Sequence, residues 1–85
     1  MNRRSKIAVR WTTDPAVLGY GAPDEVRDRE FAQSTPDFIG SPRTALDYAA
    51  GIRRMVGDGV VYSVLLTACA TGKPVEADDL RAVLA

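Results

Sequence analysis

The stretch from Ser41 to Gly72, SPRTALDYAAGIRRMVGDGVVYSVLLTACATG, concentrates the chain's apolar residues, and whatever it forms must be the centre of the fold. Ser41-Pro42 is a helix start: a hydroxyl to accept an orphan backbone N–H, then a ring whose missing donor costs nothing in the first turn. Ala45, Tyr48, Ala49, Ile52, Met55 and Val56 recur at three- and four-residue spacing, which places them on one helical face with Arg43, Asp47 and Arg54 opposite. Gly57 stands where a left-handed residue closes such a helix. Gly51, mid-helix, costs about 1 kcal/mol against alanine, so either a neighbour approaches it closely or the helix is weak there.

The second half of the stretch is harder to read. Asp58 is placed to cap a further element, and Gly72 with Pro74 two residues on reads as its stop. Between them VVYSVLLTACAT is apolar on both faces, and periodicity does not separate helix from buried strand in such a run. Length and the two caps favour a helix, with only Ser63, Thr67 and Ala70 as a polar or small stripe. At about a dozen residues it falls short of the roughly 20 needed to span a bilayer.

These elements set the fold expectation: a mainly α, small helical domain of three to four helices, with one short N-terminal strand or extended segment. Residues 1–5 read as a flexible basic arm and residues 6–85 as a single small helical domain. Lys6 to Thr12 alternates, with Ile7, Val9 and Trp11 on one side and Ala8 and Arg10 on the other, as a half-buried strand does. It pairs with an extended piece near Phe31 to Ile39 or stays an open edge, which invites another chain.

Thr13-Asp14-Pro15 resembles a cap and first helical turn that Gly19 stops, and Tyr20 to Pro23 is a turn. From Pro23 to Gln33 a solvated helix is expected, with Glu25 and Arg29 in favourable order and Val26, Phe31 and Ala32 to dock it. Ser34 to Gly40 is a linker whose Phe38 and Ile39 plug the edge of the core. After Pro74, Val75 and Leu80 make a hydrophobic staple around the start of a last helix. Asp78 and Asp79 suit its positive end, and Ala77, Leu80, Val83 and Leu84 form its inner face.

Composition narrows the chemistry. Eighty-five residues make one domain with a modest core, and 46% apolar content is that of a globular chain. Eleven basic and eleven acidic residues cancel, so the whole molecule offers no strong field to nucleic acid or membrane. The placement is uneven: Arg3, Arg4, Lys6 and Arg10 precede any acid, while Glu76, Asp78 and Asp79 crowd the C-terminal end. Cys69 is the sole cysteine and histidine is absent, which excludes an intrachain disulfide and a Cys/His zinc site and fits a cytoplasmic location. The basic lead MNRRSKIAVRW has its apolar run broken by Arg10, so no secretion signal is expected.

Absence of histidine also removes Ser/His and Cys/His nucleophile pairs. Cys69 lies in the most apolar segment, where a thiol is an inert space filler. Acids at Asp24, Glu25 and Asp28 and at Asp78 and Asp79 read as complements to helix dipoles. Gly57-Asp58-Gly59 and Gly19-Tyr20-Gly21 resemble the opening of a phosphate-binding loop but lack its third glycine, and an interhelix turn is the simpler account. No catalytic residue, metal or cofactor is expected.

TACATGKPVEADDLRAVL resembles a helix-turn-helix unit, with Ala68 at the small position, Gly72 at the turn and Val75 at the buried position after it. That resemblance implies a DNA-binding regulator using this C-terminal hairpin and the basic N-terminal arm. Its reading helix, however, would carry Glu76, Asp78 and Asp79 against a single Arg81, and acids are repelled by phosphates. A helical hairpin without DNA is the preferred reading. A third, a small metal-dependent enzyme, would need Asp78 and Asp79 to bind a divalent ion.

The function expected is therefore a small non-catalytic protein–protein interaction module, a regulator or inhibitor of the kind a phage or mobile element carries against host machinery. Its partner would be another protein, self-association included, with no membrane contact. Arg10, Trp11, Tyr20, Arg53 and Arg54 are the expected contact residues, because aromatics and arginines dominate binding hot spots.

Overall fold

The structure, a computed structural model, describes residues 5–13 and 31–85. The segment Ile7–Thr12 forms β1, Phe38–Gly40 β2, Pro42–Val56 α1, Ser63–Ala68 β3 and Ala77–Leu84 α2. The three strands make one antiparallel sheet in the order β2-β1-β3. This is an α+β fold, not the mainly α domain that the sequence led us to expect.

The decisive difference is β3. Residues 60–67 do not continue as a helix; Ser63–Ala68 lies along the whole of β1, from Ile7 opposite Ala68 to Thr12 opposite Ser63. Two physical causes act together. The run is rich in β-branched and aromatic residues, which fit a pleated surface, and β1 needs a partner for backbone groups that burial would otherwise leave unpaired. The residues read as caps are turn residues instead. Gly59 and Gly72 both have positive φ, at 83° and 72°, and carry the chain into and out of the strand. With Thr67 and Ala68 in a strand, the first helix of the helix-turn-helix pattern is not formed.

Alternation along the strands sorts the core. Ile7, Val9 and Trp11 share one face of the sheet with Phe38, Val64, Leu66 and Ala68. Against this face pack Ala45 and Ile52 of α1 and Leu80 of α2; Ile7, Val9, Ala45, Ile52 and Leu80 are all essentially inaccessible to water. The opposite face is covered at one end, where Ala8 and Thr67 are also buried. The start of β1 is thus enclosed on both faces.

The first helix starts and stops where its sequence says. Ser41 Oγ accepts the Thr44 N–H at 3.4 Å, Pro42 occupies the first turn, and Gly57 (φ 80°) donates its N–H to the Arg53 carbonyl at 3.3 Å. Its inner face holds Ala45, Tyr48, Ala49, Ile52 and Val56, but Met55 is 64% exposed and leaves the expected stripe. Nothing crowds Gly51: a Cβ there would meet only an Arg54 guanidinium nitrogen at 3.8 Å. The second helix begins after Glu76, with Leu80 in the core and Val75 half-buried against it, Asp78 and Asp79 in the first turn, and Asp78 ion-paired to Arg81. Cys69 is exposed in the turn after β3, not buried as a filler.

Candidate interaction surface

The five residues expected to form a contact patch fall in different places. Arg10 and Trp11 are neighbours on β1 and so project from opposite faces of the sheet. Trp11 is half-buried against the core beneath the helices. Arg10 spans the other face: its Nε donates to the Ser34 carbonyl and its Nη1 to Thr67 Oγ1, each at 2.8 Å. Both the residue-34 segment and β3 are tied to β1 through that one guanidinium. Tyr20 lies outside the described residues. Arg53 and Arg54 are exposed in the last turn of α1, where their charge complements the negative helix end.

Close to Arg53 and Arg54 along the chain stand apolar residues that reach water. Met55 follows them directly, and beyond the three-residue turn at 57–59 stand Val60 and Val61, 45% and 63% exposed. These are three of the four large apolar side chains left exposed among the described residues, the fourth being Ile39 on β2. Val60 and Val61 lead directly into β3, and the state of its outer edge decides what they adjoin.

Cys69 donates its N–H to the Lys6 carbonyl at 3.0 Å, and the register then turns the backbone groups of Thr67, Leu65 and Ser63 toward β1. Ala68, Leu66 and Val64 turn theirs away, and the alternation continued one step back from Ser63 turns those of Tyr62 the same way. Ala68 donates to the Lys73 carbonyl at 3.0 Å, and the Leu66 carbonyl accepts from Val75 at 2.8 Å, around a bridge between Thr67 and Pro74. The returning segment then leaves for α2, which starts at Ala77. Val64 and Tyr62 have no backbone partner among the described residues.

A separate opening of about 500 Å³ lies between the start of β1, the turn after β3 and α2. Its walls include Pro74, Val75 and Val83, with charge supplied by Lys6, Lys73 and Asp79. Among the described residues no three acids or cysteines come together in a way that could hold a metal ion. No described helix is long and apolar enough to cross a membrane. No family model, curated protein or solved structure matches this chain.

Sequence reasoning passed over Val60, Val61 and the β3 edge because it placed them inside a helix. The signal that could have found them was in VVYSVLL itself: seven residues of high β-propensity with no charge, proline or glycine.

Proposed function

We propose that this chain is a small non-catalytic protein–protein interaction module, a regulator or inhibitor that works by occupying a partner's surface. The observation that supports the reading is the run of exposed residues Arg53, Arg54, Met55, Val60 and Val61, leading into a strand edge whose outer backbone groups at Tyr62 and Val64 are unpaired among the described residues. Such an edge binds through main-chain hydrogen bonds, and flanking apolar and arginine side chains supply selectivity. Small edge strands are ordinarily protected by lysine, proline or a bulge. None of these residues lies between Val60 and Ala68.

The test is affinity capture from a native lysate with the wild-type chain, the charge-reversed variant Arg53→Glu/Arg54→Glu and the edge variant Val60→Lys/Val61→Lys. All four positions are exposed, so the fold, checked by circular dichroism, is expected to survive. A protein recovered by wild type and lost by both variants supports the reading. Recovery that is the same for all three contradicts it.

A further inference from the structure

On the outer edge, Val64 of β3 and the preceding Tyr62 have no backbone partner among the described residues, and the chain before Ser63 leads back through Val60. Val60, Tyr62 and Val64 are spaced by two, so their backbone groups point to the same side when the strand is continued backwards from Ser63. We propose that this edge pairs with its own counterpart on a second copy of the chain, residues 60–64 of the two copies running antiparallel about a two-fold axis at Tyr62. The proposal rests on the interaction reading above and names the occupant of that edge.

Three observations favour a second copy. With Tyr62 on the axis, Val60 of one copy faces Val64 of the other, so outward-pointing groups meet outward-pointing groups at every rung. About six backbone hydrogen bonds can then form, whereas a register shifted by one residue would set unused groups against groups already bonded to β1. The side chains are also self-complementary. Tyr62 and Val64 border the core on the helix-bearing face, and alternation continued back from Ser63 would place Val60 on that face too. Pairing extends that apolar face across the axis and covers Val60, which is 45% exposed in the single chain.

Charge gives the third argument. No charged residue stands between Val60 and Ala68, so antiparallel self-pairing brings no like charges into opposition. The other edge of the sheet is a poorer candidate: β2 is three residues long and turns into α1 at Pro42. The union is isologous and closes after two copies, since each edge is consumed by the other. The two three-stranded sheets become one continuous sheet.

Sedimentation velocity over about 10 μM to about 1 mM, a range that resolves modest affinities, reads the proposal directly. The wild-type chain is expected to rise from 9.2 kDa toward twice that mass as concentration increases. Val60→Lys/Val61→Lys puts four ammonium groups into the paired segment and is expected to stay monomeric. Ile39→Lys, at an exposed position on the other edge, is expected to dimerise as wild type does. Amide exchange at Tyr62 and Val64 is expected to slow with concentration in the wild type alone.

A wild-type chain that stays monomeric throughout overturns the proposal, as does a dimer that survives both lysines. If the chain is monomeric yet captures a different protein that both surface variants lose, self-pairing fails and the interaction reading stands. If it dimerises as described and captures nothing, the edge is a self-association surface and the regulator reading fails.

Discussion

The rings of Phe38 and Tyr48 stack face to face, 4.7 Å between centroids and 12° from parallel, and so fasten β2 to α1 across the turn at Ser41. Phe38 reaches this position by lying over Gly40. A Cβ on residue 40 would come within 2.7 Å of Phe38 Cζ and 2.8 Å of Thr44 Oγ1. Gly40→Ala must therefore displace the ring, the helix cap or both. Overpacking of this kind costs about 1–3 kcal/mol, and urea denaturation is expected to show a lower midpoint with an unchanged slope.

Gly51 gives the opposite expectation from the same helix. Its Cβ position is open, and its backbone is helical, so alanine relieves the entropic cost without meeting a neighbour. Gly51→Ala is expected to stabilise the chain by about 0.5–1 kcal/mol. For a domain of this size that raises the melting temperature by roughly 2–8 °C, readable by differential scanning calorimetry.

Arg10 and Thr67 form a pair whose two halves are not equivalent. Thr67 is buried and its Oγ1 accepts from Arg10 at 2.8 Å, while the guanidinium also reaches the Ser34 carbonyl. Arg10→Ala leaves a buried hydroxyl without that partner and frees the residue-34 segment, at an expected cost of about 1–3 kcal/mol. Thr67→Val removes only the acceptor and keeps the shape, so its cost is expected to be smaller. A double-mutant cycle by urea denaturation should give a coupling of about 0.5 kcal/mol or more, since the residues touch.

Leu80 is the residue through which α2 docks. It is fully buried in the core cluster that also holds Ile7, Val9 and Ile52, while its helix is only eight residues long and too short to stand alone. Leu80→Ala is expected to cost about 2–5 kcal/mol. Exchange of the α2 amides should approach that of an unfolded peptide even where β1 and β3 remain protected.

What the sequence disclosed, and what it withheld, follows from how local each signal is. Ser41, Pro42 and Gly57 act within one turn of the backbone, so the limits of α1 were legible in full, as was the Val75 and Leu80 signature of α2. Alternation in Ile7 to Thr12 likewise disclosed β1. The run from Val60 to Thr67 was different: apolar on both faces, its conformation depended on a strand some fifty residues away that needed a partner, a long-range demand no window reports. The contact residues suffered the same fate. Arg10 and Trp11 look like one patch in the sequence, yet strand alternation sends them to opposite faces, and Met55 left its stripe at the end of α1, where none of the described residues covers it.

Alternate protection along β3 tests the whole account, since both the sheet and its open edge depend on which way each backbone group points. In dilute protein, hydrogen exchange followed by NMR is expected to find the Leu65 and Thr67 amides slow, held by β1, and the Tyr62 and Val64 amides fast. Uniform protection from Val60 to Ala68, with the sequential contacts three residues apart that mark a helix, would contradict the strand; a Val64 amide protected at the lowest concentration would contradict the open edge.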